Sequence, residues 1–194
     1  MVFLDETYRV LFVSSSKKYN DAVLPILPPS DFYPVTVVGS ISEARQRLSG
    51  GEYDIVLINA PLPDDMGVEL AMEISQDHDT AVILLIKNEL YEATYHKVLS
   101  SGVILLAKPT NLTMIQQSLH AACALRERLR QMRDRQVTVE KKIDEIRLIN
   151  RAKWLLIECL NMTEQDAHDY IIRQAMEQRK SKREIAENII RTYQ

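Results

Sequence analysis

Residues 53–67 read YDIVLINAPLPDDMG, and this stretch decides the fold. Residues 54–59 are apolar almost throughout, with β-branched Ile55, Val56 and Ile58. A strand with one face in water alternates polar and apolar residues. A short unbroken apolar run instead suits a parallel strand covered by helices on both faces. Asn59 ends the run, and Pro61, Pro63, Asp64, Asp65 and Gly67 then compose a loop. Loops at the carboxyl ends of such strands build the crevice of a doubly wound sheet. Asn59 therefore stands where chemistry is expected.

Four further runs share this character: 8–14 (YRVLFVS), 35–39 (VTVVG), 81–86 (AVILLI) and 102–107 (GVILLA). Helical patterns separate them near 17–27, 41–49, 66–77 and 90–100, and Ser40 with Glu43 reads as a capping box opening the second. Strand–helix alternation of this kind predicts an α/β fold, a doubly wound five-stranded parallel sheet. Ser14, Ser15, Ser16, Asn59, Ile86, Lys87 and Lys108 all fall at the carboxyl rim.

From residue 112 the pattern changes. Leu125, Leu129, Met132, Gln136, Val139, Ile143, Ile146 and Asn150 are spaced alternately by four and three. That is a heptad seam, and it predicts one long helix pairing as a homodimeric coiled coil. Polar Gln136 and Asn150 within the seam would fix register and oligomer number at a cost in stability. The alternative is a solitary helix packed on the sheet. No Pro or Gly follows Pro109, so the remainder reads as all-helical. The long helix continues to about Leu160. Thr163 caps a second helix reaching about Gln178, with Ala167, Ile171, Ile172 and Ala175 inward. Ser181 and Glu184 form a capping box for a third, with Ile185, Ala186, Ile189 and Ile190 inward. Three parts result: 1–120, a helical linker over 121–148, and a small three-helix all-α domain over 149–194.

Composition supports a soluble globular chain, with 194 residues, 46% hydrophobic and 26% charged. The net charge of −3 is unevenly placed: residues 1–111 carry 8 Lys and Arg against 15 Asp and Glu, while the rear is slightly basic. Cys123 and Cys159 lack metal spacing and read as reduced thiols. His78, His96, His120 and His168 are scattered. The opening MVFLDETYRV lacks a basic region and a long apolar run, so no secretory leader is expected. A cytoplasmic protein without membrane span, metal or cofactor is expected. No nucleophile triad or phosphate-cradling glycine loop is present, so an enzyme is not expected.

Over about residues 8–120 the chain resembles a response-regulator receiver domain of two-component signalling. RVLFVSSS matches the first strand and its acidic corner, and YDIVLINAPLPDDMG the phosphoacceptor strand and loop. AVILLIKN matches the fourth strand, and LLAKP the Lys-Pro that ends the fifth. Receivers bind Mg²⁺ through paired acids and accept phosphate on an aspartate. Here Ser14 and Ser15 stand for the acids, Asn59 for the phosphoacceptor and Ile86 for the hydroxyl residue; Lys108 remains. Mg²⁺ requires charged oxygens, and an amide is no nucleophile toward a phosphoryl donor. The resemblance thus implies a degenerate pseudo-receiver, used for dimerisation or for docking a regulatory protein partner. Asp64 and Asp65 read as exposed turn acids.

Residues 149–190 resemble the ANTAR domain, an RNA-binding module of transcription antiterminators. The matching residues are Ala152-Lys153, Thr163-Glu164 with Ala167, Arg173 with Ala175-Met176, and Ile185-Ala186 with Ile189. Trp154 replaces a usual glycine, and core or seam burial is expected for it. The resemblance implies a homodimer that binds paired stem-loops in a leader transcript and disfavours a terminator hairpin. Lys153, Arg173, Arg179, Lys180, Lys182 and Arg183 are the candidate phosphate and base contacts. An interaction or sequestration module acting through the receiver fold and coiled coil is the competing reading, and a DNA-binding regulator a weaker one.

Overall fold

The computed structural model describes residues 7–77 and 79–193, without the side chains of residues 77 and 139. The expectations resting on residues 1–6, His78 and the Val139 side chain lie outside the described residues. Two compact units divide at Arg133 and Asp134.

The first unit alternates strand and helix. In order, β1 is Tyr8–Val13, α1 Lys17–Val23, β2 Phe32–Val38, α2 Ile41–Gly50, β3 Ile55–Asn59 and α3 Val68–Asp77. Then come β4 Ala81–Lys87, α4 Tyr91–Val98, β5 Ile104–Lys108 and α5, Leu112–Leu160. The five strands are parallel in the order β2-β1-β3-β4-β5. Every residue of β3 is buried, which is why its sequence shows no alternation. Successive side chains still face opposite ways. Phe12, Leu57, Ile83 and Leu85 pack with Val23 of α1 and Ile115 and Leu119 of α5. Val13, Ile58 and Leu84 pack with Ala44 of α2 and Leu70, Ala71 and Ile74 of α3.

Several boundaries differ from expectation for physical reasons. β2 begins at Phe32 and contains Pro34, which an edge strand tolerates because it need not donate on both sides. β5 begins at Ile104 because Gly102, at φ +75°, ends the turn after α4 in the left-handed region. The Ser40 box is displaced by one residue: Ser40 Oγ accepts from Glu43 N at 3.2 Å, but the Glu43 carboxylate accepts from Gly39 N at 2.7 Å. Gly67 at φ +72° turns the chain into α3 where a Cβ would lie 2.9 Å from Ile58 Cγ2, so only glycine fits.

The second unit holds the end of α5, then α6, Glu164–Gln178, and α7, Lys182–Tyr193. Its core is Ala152 and Leu156 of α5, Ala167, Ile171 and Ala175 of α6, and Ile185, Ala186 and Ile189 of α7. The alanines let helix backbones approach closely. Ile172 and Ile190, expected inward, are partly exposed at its margin. Thr163 and Asp166 make a reciprocal capping box, and Ser181 and Glu184 another, with Ser181 N donating to Glu184 Oε2 at 2.8 Å and Glu184 N to Ser181 Oγ at 3.2 Å.

Candidate functional site

The carboxyl rim of the sheet brings Ser14, Asn59 and Lys108 together. Ser14 and Asn59 are buried, and Asn59 Nδ2 donates to Ser14 Oγ at 3.0 Å. Lys108 Nζ donates to Asn59 Oδ1 at 2.9 Å and also to the Ala60 carbonyl oxygen. The ammonium thus faces neutral acceptors only. Its pKa is lowered, first by burial and then by the charge of Lys87. Ser15 is exposed beside this cluster, and Ile86 is buried with no polar atom to offer. The arrangement can hold an amide in place; it presents no carboxylate to a metal ion or a phosphoryl donor.

The loop acids are not free to substitute. Asp64, expected as an exposed turn acid, caps α2. Its carboxylate accepts from Ile41 N at 3.0 Å, Ser42 N at 2.9 Å and Ser42 Oγ at 3.0 Å. Those backbone donors hold its pKa below the ordinary carboxylate range. Asp65 Oδ1 accepts from Gly67 N at 2.6 Å. Asp64 is thus committed to the start of α2 and Asp65 to its own loop.

In the second unit the six basic candidates divide. Lys153 is only 16% exposed and donates to Glu164 Oε1 at 2.7 Å, tying α5 to the first turn of α6. That hydrogen bond and charge hold the Glu164 carboxyl below its usual range. Arg173 is exposed with its guanidinium 5.9 Å from the Tyr170 ring centre. Arg183 pairs with Glu187 at 3.0 Å. Arg179, Lys180 and Lys182 are exposed and form no ion pair among the described residues.

The turn carrying Arg179 and Lys180, which leads into Lys182 at the start of α7, is held by backbone hydrogen bonds. Arg179 sits in the left-handed region at φ 52°, ψ 41°. Lys180 N donates to Ala175 O at 3.0 Å and Arg179 N to Met176 O at 3.3 Å, the doubly bonded helix ending usually given to glycine. Ser181 then starts the cap of α7, so the N–H groups of residues 179–181 are all hydrogen-bonded.

Sequence reasoning misplaced one side chain and missed another. Trp154, expected in a core or seam, is 70% exposed, and Met176 is 74% exposed. Heptad spacing continues the seam to Lys153, and core packing uses Ala152 and Leu156, so Trp154 lies off both faces. Along α5, Leu125 packs against the core under the sheet and Leu129 is half-buried. Met132, Ile143 and Ile146 are 56%, 43% and 59% exposed, and Gln136 and Asn150 are also exposed. Beyond Leu129 the apolar side chains of Met132, Ile143 and Ile146 are therefore uncovered.

Comparison with known proteins agrees with both halves. The sheet unit matches the signal receiver domain of an HD domain-containing protein from Pseudomonas fluorescens Pf-5, with TM-score 0.57 at 24% identity over 70% of this chain and 98% of that one. An adenylate cyclase from Rhodopirellula baltica matches with TM-score 0.60 at 16% identity, covering 66% and 96% respectively, which shows shared fold alone. Residues 138–190 match the ANTAR domain. The chain is a receiver fold followed by an ANTAR domain. Transcriptional regulatory protein PdtaR of Mycobacterium tuberculosis, in strains CDC 1551 / Oshkosh and ATCC 25618 / H37Rv, is 22% identical over 159 residues, covering 80% of this chain and 78% of the relative. The ANTAR match takes in all six basic candidates and the last four positions of the seam, Val139, Ile143, Ile146 and Asn150. No helix among the described residues is long and apolar enough to cross a membrane.

Proposed function

We propose that this protein is a cytoplasmic transcription antitermination regulator that binds paired RNA stem-loops in leader transcripts through its ANTAR domain. The observation that carries this reading is the ANTAR match at 138–190 together with three exposed cations at the end of α6 and the start of α7, Arg179, Lys180 and Lys182, that form no ion pair among the described residues. Arg179, Lys180 and Lys182 supply phosphate contacts, while the planar Arg173 guanidinium suits stacking on unpaired loop bases. Lys153 acts mainly as a strut through Glu164, and Arg183 is shared with Glu187. Residues 121–148 form the dimerising linker, so that two ANTAR copies meet two stem-loops.

The receiver half works as a pseudo-receiver. Asn59 is held by Ser14 and Lys108 in the place of a phosphoacceptor, and the nearby Asp64 and Asp65 are engaged elsewhere. A mobility-shift titration with the leader RNA upstream of neighbouring genes tests the RNA reading. Tight, salt-sensitive binding is expected. Each phosphate contact removed, as in Lys180→Gln or Lys182→Gln, should reduce the slope of log K against log salt by about 0.7–0.9. Equal slopes for wild type and the double variant would contradict the assignment.

A second reading, a partner-docking module, rests on the sheet unit. Tyr91 and Tyr95 stack at 6.2 Å on α4, and Leu90, Tyr95 and Leu99 are exposed around it. A regulatory protein seated there would add to RNA binding without excluding it.

A further inference from the structure

The outer face of α5 carries a side chain that the basic contacts leave without a role. Trp154 is the chain's single tryptophan, and it is largely exposed. An α-helix turns by about 100° per residue, so Trp154 lies about 160° round α5 from both Ala152 and Leu156. Those two are fully buried in the core shared with α6 and α7. The indole therefore projects away from α6 and α7, where no packing in a single chain uses its large apolar surface.

Its surroundings on that face are basic and polar. Arg151 and Arg147, one and two turns toward the amino end, lie within about 60° of it, and both are exposed. Arg151 forms no ion pair among the described residues, and Arg147 is shared with Asp144 at 3.7 Å. Glu158, one turn further on, is the exposed acid at the other end of the strip. The seam beside it turns polar at this level, at Asn150 and Lys153, and Lys153 is taken up by Glu164. A second apolar helix would find little to match here. A flat π face flanked by guanidiniums complements an unstacked base carried on a phosphate chain.

We infer that Trp154 is a stacking platform for an unpaired nucleotide of the bound RNA, with Arg151 and Arg147 on the adjoining phosphates. This rests on the RNA reading above and extends it to a surface of α5 separate from Arg179, Lys180 and Lys182. A glycine at this position, usual in the family, offers no such surface. The two surfaces contribute differently. Cations on phosphates release counterions, so their share of the affinity falls with salt. Stacking on an indole tolerates any base and adds a share that salt leaves nearly untouched.

The test is the tryptophan emission of the full chain, titrated with the leader RNA upstream of neighbouring genes. With one tryptophan in the chain, the signal reports this position alone. Saturable quenching that coincides with the mobility shift is expected from the hairpins, and little from a fully paired duplex of the same stems. Trp154→Ala should weaken hairpin binding at least about fivefold at every salt concentration, with the slope of log K unchanged. Trp154→Phe should keep most of the affinity, and Arg151→Gln should lower the slope by about 0.7. The side chain is exposed, so circular dichroism should show an intact fold in each variant. RNA that binds without changing the emission, a duplex that quenches as strongly as the hairpins, or Trp154→Ala binding as tightly as wild type would overturn the platform and leave the RNA reading standing. A Trp154→Ala variant that is monomeric in sedimentation where the wild type is dimeric would assign the indole to a second copy and overturn it as well. Wild type that binds no leader RNA would overturn both readings.

Discussion

Replacing Ile143 and Ile146 together by lysine should convert a homodimer into monomers. In one chain these side chains are 43% and 59% exposed, and Met132 is 56% exposed. Burying a whole side chain of this size contributes about 1.5–3 kcal/mol. Roughly half of each is already covered, so pairing two chains gains about 1 kcal/mol per side chain, or about 6 kcal/mol for the six across a dimer. The double substitution removes four of those six. It should therefore cost about 4 kcal/mol, close to a thousandfold in the dimer dissociation constant, before any repulsion between lysines. Sedimentation equilibrium over a concentration series measures this directly. Both residues are exposed in the single chain, so circular dichroism should show that the fold persists. A wild-type protein that stays monomeric throughout, or a variant with an unchanged dimer constant, would refute the seam.

Other outcomes follow from the two sites. Asn59→Asp alone should not restore phosphorylation: Ser14, Ser15 and Ile86 still supply neither metal-binding charge nor the missing hydroxyl. Incubation with acetyl phosphate and Mg²⁺ followed by intact-mass measurement checks this, and a stable phosphoryl adduct on residue 59 would contradict it. Glu164, whose pKa is depressed by Lys153, contributes stability that is present above its ordinary value of 4.5 and lost as pH falls through the lower folded value. The stability advantage of wild type over Glu164→Gln should accordingly shrink in acid, as read by thermal unfolding from neutral pH downward; a constant difference would mean the pair does little. Gly67→Ala combines a positive φ with a 2.9 Å approach to Ile58, and should destabilise the sheet unit by about 1–3 kcal/mol in denaturant unfolding.

The central strands were legible in the sequence because helices cover both faces there, so that β3 is buried throughout and β4 everywhere but Lys87. Caps were legible where a short-range rule governs them, as at Thr163 and Ser181. The start of β2 was not, because Pro34 argues against a strand until one knows that β2 lies at an edge. Asp64 looked idle because its donors, Ile41 and Ser42, lie more than twenty residues away in sequence. Of the rim, the identities of Ser14, Asn59, Ile86 and Lys108 could be read in sequence, but the bonds joining three of them needed the fold. The basic candidates were equivalent as letters. Only geometry separates Lys153, held by Glu164, from Lys180 and Lys182, which form no ion pair among the described residues. Trp154 was assigned to burial on its chemistry, whereas its position one residue off the seam and two off Ala152 leaves it in solvent.

In vitro transcription from the protein's own leader template, with polymerase, terminator and purified full-length chain, tests antitermination itself. Read-through should rise with protein concentration on the intact template, and should be lost when either stem-loop is deleted or when Arg179, Lys180 and Lys182 are replaced by glutamine. Termination that is indifferent to the protein on the intact template, or read-through undiminished by those changes, would contradict the account.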